Sequence, residues 1–153
     1  YMADRFLLYK EWKLLHSTRT QGNSFVLIGR ALAACSASLV VIRSSGGACF
    51  GGFLGVGWKK ELFVGSDSSA FVFQLRPERG VYPWAAGREI AFVSSRLIGM
   101  GSNSRSGCFA WSLDNEMKCT TAPCDTFQSP QLAGEEHGDA FEVEVWQIEQ
   151  EEF

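Results

Sequence analysis

Leu39-Val-Val-Ile-Arg43 is a β-branched run, Ser44-Ser-Gly-Gly47 is a turn of small residues, and Ala48-Cys-Phe-Gly-Gly-Phe53 returns. Two such runs joined by a short flexible turn form a β-hairpin. The first run is apolar at successive positions, which predicts a strand buried on both faces. Gly51 and Gly52 lie inside the return strand, where glycine marks a bulge or a close backbone approach.

The rest of the chain follows the same pattern. Glu11-Trp-Lys-Leu-Leu-His-Ser17 reads as a strand. Asn23-Ser24 offers helix-capping chemistry, and Phe25, Ile28 and Leu32 follow at helical spacing, predicting a buried helix over 24–34. A loop rich in Gly, Lys and Ser occupies 55–69 and contains the short apolar piece Leu62-Phe-Val64. Strands are expected over 70–75, 81–84, 89–93, 96–98 and 108–113, with a turn over 77–80 and a small-residue loop over 99–107. Ala140-Phe-Glu-Val-Glu-Val-Trp-Gln-Ile148 is the last strand. Phe141, Val143 and Val145 alternate with Glu142 and Glu144, placing core on one face and polar groups on the other. Trp146 and Ile148 share the parity of the glutamates, so that face must become covered toward the strand's end. Helical stretches between strands are missing, which disfavours parallel βαβ units. The expectation is an α+β, mainly β fold of two antiparallel sheets packed as a β-sandwich flanked by short helices.

The 153 residues suffice for one domain. Residues 1–118 carry all 14 Lys and Arg against 8 acids, while residues 119–153 carry 9 acids and no Lys or Arg, giving −3 in total. That balance lacks the electrostatic footprint of a nucleic-acid binder. The acidic segment reads as a solvated face, with docking to a basic partner as its functional alternative. No apolar run approaches the roughly 18 residues of a membrane span. Tyr1-Met2 is not a natural start, so the chain is read as part of a longer one. Cys35, Cys49, Cys108, Cys119 and Cys124 are odd in number and irregular in spacing, which predicts reduced thiols and an intracellular protein.

Catalytic patterns are weak. His16 sits in an apolar strand and His137 in a charged stretch, and both read as structural or solvated residues. No G-x-S-x-G elbow is present. Glu135, Glu136, His137 and Asp139 offer metal donors without a recognised spacing and read as a charged loop. Gly99-Met-Gly101 and Gly46-Gly47 fit no phosphate-binding pattern and read as turns. Glu142 and Glu144 point the same way on one strand, about 7 Å apart, and would do acid–base work only in a cleft. No cofactor and no metal is expected. Trp12, Trp58, Trp84, Trp111 and Trp146 read as core, unless partial exposure makes one of them a binding anchor.

The order of motifs resembles the TLDc domain of the oxidation-resistance proteins, which also occurs beside Rab-GAP (TBC) or LysM domains. The residues that carry the likeness are Trp12-Lys-Leu-Leu-His-Ser-Thr18, Gly22-Asn-Ser-Phe25, the 39–53 hairpin, Trp58, Val64-Gly-Ser66 and Phe71-Val-Phe73. Tyr82, Trp84, Gly99-Met-Gly101, Phe109-Ala-Trp111, Leu113-Asp114, Pro123-Cys-Asp-Thr-Phe127, Leu132 and Phe141-Glu-Val-Glu-Val-Trp146 continue it. Gln21 stands where the family usually has histidine, and Ser102-Asn-Ser-Arg-Ser106 replaces a glycine run.

The likeness covers 11–149, leaving 1–10 as an N-terminal extension and 150–153 as an acidic tail. It implies a β-sandwich, protection against oxidative stress and binding to the vacuolar proton pump, the V-ATPase, by a cytoplasmic protein at the surface of acidic organelles. Gly99, Gly101, Glu144 and Trp146 are the expected partner-binding residues. The competing expectations are a redox-active or hydrolytic enzyme using Cys124, or Glu142 with Glu144, and a scaffold module beside a Rab-GAP domain.

Overall fold

The computed structural model describes residues 9–18, 24–103, 108–134 and 136–150. Strand β1 (Tyr9–Ser17) comes first, followed by helix α1 (Phe25–Ala34), β2 (Ser38–Ser44), β3 (Cys49–Leu54), β4 (Phe71–Arg76) and β5 (Gly80–Pro83). Then come β6 (Ala91–Val93), β7 (Leu97–Asn103), β8 (Cys108–Asp114), β9 (Lys118–Thr121) and β10 (His137–Gln150). Every pairing between these strands is antiparallel.

The strands run β5-β4-β3-β2-β10-β9-β8-β7-β6, and β1 lies along β10. The 14 residues of β10 serve two sheets in succession. His137, Gly138 and Asp139 pair with β9, while positions from Ala140 to Gln147 pair with β2. Beyond the point where β9 ends, β1 takes over the same edge, with Ser17 opposite Glu144 and Leu14 opposite Trp146. A strand that leaves one sheet for another is how sheet corners are built. The first sheet therefore holds β1, β10, β2, β3, β4 and β5, and the second holds β9, β8, β7 and β6.

The two sheets face each other over one core. Val40, Ile42, Phe50, Val143 and Val145 of the first sheet share it with Ile98, Met100, Trp111 and Leu113 of the second. Gly52 shows how closely they approach. A methyl group there would overlap Met100 Sδ and lie 3.1 Å from Trp111 Nε1 and from the Phe71 carbonyl oxygen. Gly51 is tight for a different reason, since its added carbon would overlap the Val40 carbonyl on the neighbouring strand. The close backbone approach expected of this glycine pair is present.

Helix α1 closes one side of the core. Ser24 caps it by accepting from the Leu27 N–H at 3.3 Å. Phe25, Ile28 and Leu32 form its buried stripe, each stabilising by roughly 1.5–3 kcal/mol of transfer free energy. Leu14, Val26 and Leu27 stay exposed. Loop 55–69 is tied together by Asp67, which accepts from the Gly55 N–H at 2.6 Å and the Ser69 N–H at 3.0 Å. The apolar piece within the loop docks through Val64, which exchanges backbone hydrogen bonds with Ala91 and Ile90.

Several sequence expectations change. The 99–107 stretch is not a loop up to Asn103, because Gly99, Met100, Ser102 and Asn103 pair with β8. β9 occupies a region read only as an isolated cysteine pair, and β10 begins three residues earlier than expected, turning His137 and Asp139 into strand residues. Phe141 was placed on the core face and is instead 73% exposed. A register shift between Ala140 and Glu142 removes it from the alternation. Most of the N-terminal extension and of the acidic tail, residues 1–8 and 151–153, falls outside what is described, as do Gln21, residues 104–107 and Glu135.

Candidate functional site

The four expected partner-binding residues lie in two different sheets. Gly99 and Gly101 belong to β7 in the second sheet and are both buried. A methyl on Gly99 would lie 2.9 Å from the Phe109 ring and 3.0 Å from the Trp111 carbonyl oxygen. Gly101 has φ +73°, and a methyl there would lie 2.8 Å from Phe127 and 2.9 Å from Cys124 Sγ. The Cys124 thiol donates to the Gly101 carbonyl at 2.9 Å. Both glycines are thus approached closely by the chain's own side chains.

Glu144 and Trp146 lie in the first sheet, on the face turned away from the shared core. Opposite them on β2 are Val41 and Leu39. Trp146 is half-buried against a second apolar cluster of Ala37, Leu39, Phe53, Phe71, Phe73 and Ile148. Phe53 and Phe71 stack with centroids 5.3 Å apart. The required covering of the strand's end is therefore met, since Ile148 is 1% exposed.

At the other end of this face Glu142, Glu144 and Arg43 meet. Arg43 donates to Glu142 Oε2 at 2.6 Å and lies 3.6 Å from Glu144 Oε1. The hydrogen bond to Glu142 raises the Arg43 pKa further above its ordinary value. Glu142 is buried and Glu144 is about one-fifth exposed. The same-side placement of the two carboxylates is as expected, but the arginine between them makes the group an ion-pair network. Nothing in it resembles a nucleophile held by a base.

Arg43 also forms the wall of a cleft of about 800 Å³. The β2–β3 turn, the end of β4, Arg79 and Phe141 complete it. Its floor includes Cys49. Burial pushes the Cys49 thiol up in pKa, against the opposing pull of the Arg43 and Arg76 charges. Burial likewise pushes Cys35 up to about 11. Reactive thiols need the opposite shift. Cys35, Cys49, Cys119 and Cys124 are all buried.

Sequence reading missed this cleft because its lining comes from three separate segments. The only local signals were the arginines on either side of Pro77 and the exposed position of Phe141, and the latter depends on the bulge.

Among the described residues no group of three or more His, Cys, Asp or Glu side chains is placed to hold a metal ion. His137 Nε2 lies 3.8 Å from Glu136, and Asp139 pairs with Lys118. No helix among them is long and apolar enough to cross a membrane. Of the tryptophans, Trp111 and Trp58 are core, Trp84 is half-buried against it, and the Trp12 side chain lies outside the described residues. Trp58 Nε1 donates to Ser38 Oγ at 2.7 Å.

Two packed antiparallel sheets crossed by a terminal strand carry the motif order noted in the sequence, and the TLDc domain family profile matches residues 2–149. The chain belongs to the TLDc family. It is similar to the MTOR-associated protein MEAK7 of Xenopus laevis, with 26% identity over 147 residues, covering 90% of this chain and 32% of the relative. The MEAK7 of Danio rerio is 27% identical over 149 residues, covering 90% and 32% respectively. The Oxidation resistance protein 1 of Bos taurus is 26% identical over 137 residues, covering 88% of this chain and 16% of the relative. The chain thus spans about a third or less of the length of these relatives.

Proposed function

We infer that this domain is a protein-interaction module that binds the V-ATPase and regulates its assembly or activity, in a protein that protects against oxidative stress. The observation that carries this reading is the family match across residues 2–149. Likeness to an oxidation resistance protein adds support for the stress role. On this reading the protein works in the cytoplasm, at the surface of acidic organelles.

Glu144 is the more exposed of the two carboxylates in the Arg43 network, and Trp146, two residues on along β10, is half-buried, so the two present one charged and one aromatic group on a rigid strand. Aromatic anchors beside charged groups are how interfaces gain both affinity and orientation. Gly99 and Gly101 take a supporting part, shaping the second sheet from within.

The test is capture of purified V-ATPase on the immobilised domain at low and moderate salt, with pump ATPase activity followed in parallel. Salt-sensitive capture with falling activity is expected, weakened by Glu144→Lys. Absence of capture by the folded domain would refute the pump reading. Relatives named as mTOR-associated favour a second reading, in which the domain is the scaffold part of a longer, mTOR-linked protein. Capture of mTOR components in place of the pump would select it.

A further inference from the structure

We propose that the cleft between the β2–β3 turn and the end of β4 binds an acidic protein segment carrying an aromatic or aliphatic anchor. The charged lining is of one sign, from Arg43, Arg76 and Arg79, and no carboxylate lines it. Arg43 is engaged by Glu142, whereas Arg76 and Arg79 make no ion pair among the described residues and are exposed. Glu78 stands between them in sequence and does not line the cleft. Two guanidinium groups in one cleft, without an ion pair among the described residues, are forks for carboxylates, which they hold in bidentate fashion.

The apolar part of the lining is equally unsatisfied. Leu75 is 49% exposed and Phe141 is 73% exposed. Phe141 is held out of the core by the irregularity between Ala140 and Glu142, so its exposure is built into the strand. About 800 Å³ is far more than a lone anion fills and lies within the usual range for a ligand-sized site. Three arginines and an exposed phenylalanine in one cleft suit a segment that alternates carboxylates with a large apolar side chain.

Charge around the cleft separates this occupant from an anionic membrane. Ser45 also borders a neighbouring hollow lined by Asp114, Asp139 and Lys118, of which Lys118 is paired with Asp139, with Glu116 and Glu136 exposed nearby in the chain. The chain as a whole carries −3. A flat anionic bilayer would meet these carboxylates along with the arginines, while a narrow peptide seated in the cleft meets a lining whose charges are arginines. The inference stands apart from the pump reading, because it depends only on the chemistry of the cleft.

The experiment is fluorescence anisotropy of the chain with a short fluorescein-labelled peptide of Asp and Glu flanking one Phe. Its Asn/Gln twin is the control, with phosphatidylcholine vesicles containing phosphatidylinositol bisphosphate as a separate arm. The acidic peptide is expected to bind at least about tenfold more tightly than its neutral twin. Arg76→Glu with Arg79→Glu should lose at least about tenfold with the thermal melting curve unchanged, both residues being exposed. Phe141→Ala should lose a smaller factor, about three- to tenfold. Failure of the acidic peptide to bind, equal binding by its neutral twin, equal binding by the charge-reversed variant, or preference for the vesicles would each overturn the assignment.

Discussion

Gly101→Ala tests whether the β7 glycines serve the fold from within. The backbone at Gly101 has φ +73°, which costs an L-residue about 1–2 kcal/mol. The added carbon would also lie 2.8 Å from two Phe127 ring atoms and 2.9 Å from Cys124 Sγ. Phe127 is 1% exposed and Cys124 is 3% exposed, so neither can move into solvent. Forcing a methyl into a filled core costs about 1–3 kcal/mol. The total is about 2–5 kcal/mol, or a fall of roughly 5–15 °C in melting temperature for a domain of this size.

Gly47→Ala is the matched control. Its φ is +93°, but nothing lies within 4 Å of the added carbon. It should carry the backbone cost alone, about 1–2 kcal/mol. Urea unfolding of both variants, followed by tryptophan fluorescence, gives the difference directly. If Gly101→Ala costs no more than Gly47→Ala, the packing argument is wrong. If it leaves stability intact and abolishes partner binding, the glycine belongs to an interface.

Arg43→Ala should destabilise by about 1–3 kcal/mol, because it removes the guanidinium hydrogen-bonded to the buried Glu142 carboxylate, whereas Glu144→Gln should cost under about 1 kcal/mol, a contrast chemical denaturation can read. The Cys35 thiol is held at about 11 against an ordinary 9.0, so the folded state binds its proton more tightly than the unfolded state. That contribution is fully present below pH 9 and is lost as pH rises from 9 through 11. Stability measured across this window should fall less steeply in Cys35→Ala. Ser24→Ala removes the α1 cap and should cost about 1 kcal/mol by thermal unfolding. Trp58→Phe leaves the buried Ser38 hydroxyl without its indole donor and should cost about 1–3 kcal/mol in the same assay.

Elements whose local chemistry agrees with their packing were readable from the sequence. The 39–53 hairpin, the Ser24-capped helix and the core positions Val143 and Val145 of β10 are of this kind, whereas Phe141 escapes the alternation through the bulge. β9 was not, because Lys118-Cys-Thr-Thr121 is short and of mixed polarity and is held in place by β8 and β10. Gly99 to Asn103 read as a loop because glycine and serine have little strand preference of their own. Pairing with β8 and the positive φ of Gly101 decide otherwise. The arginine cleft was invisible for a further reason: Arg43, Arg76, Arg79 and Phe141 come together only through strand order and a bulge.

The double duty of β10 has a consequence for how the chain is made. Until residues 137–150 are available, β2 has no partner on one side and β9 none on the corresponding side, so each sheet is left with an open edge. Among the described residues, the strand partner of β1 is β10, so its pairing waits for a segment more than a hundred residues further along. Such late, sequence-distant closure is slow, and open edges template association with other chains. A ribosome-bound chain ending before His137 should therefore be the species most in need of a chaperone, and release of β10 should be the moment these two edges, of β2 and β9, are covered.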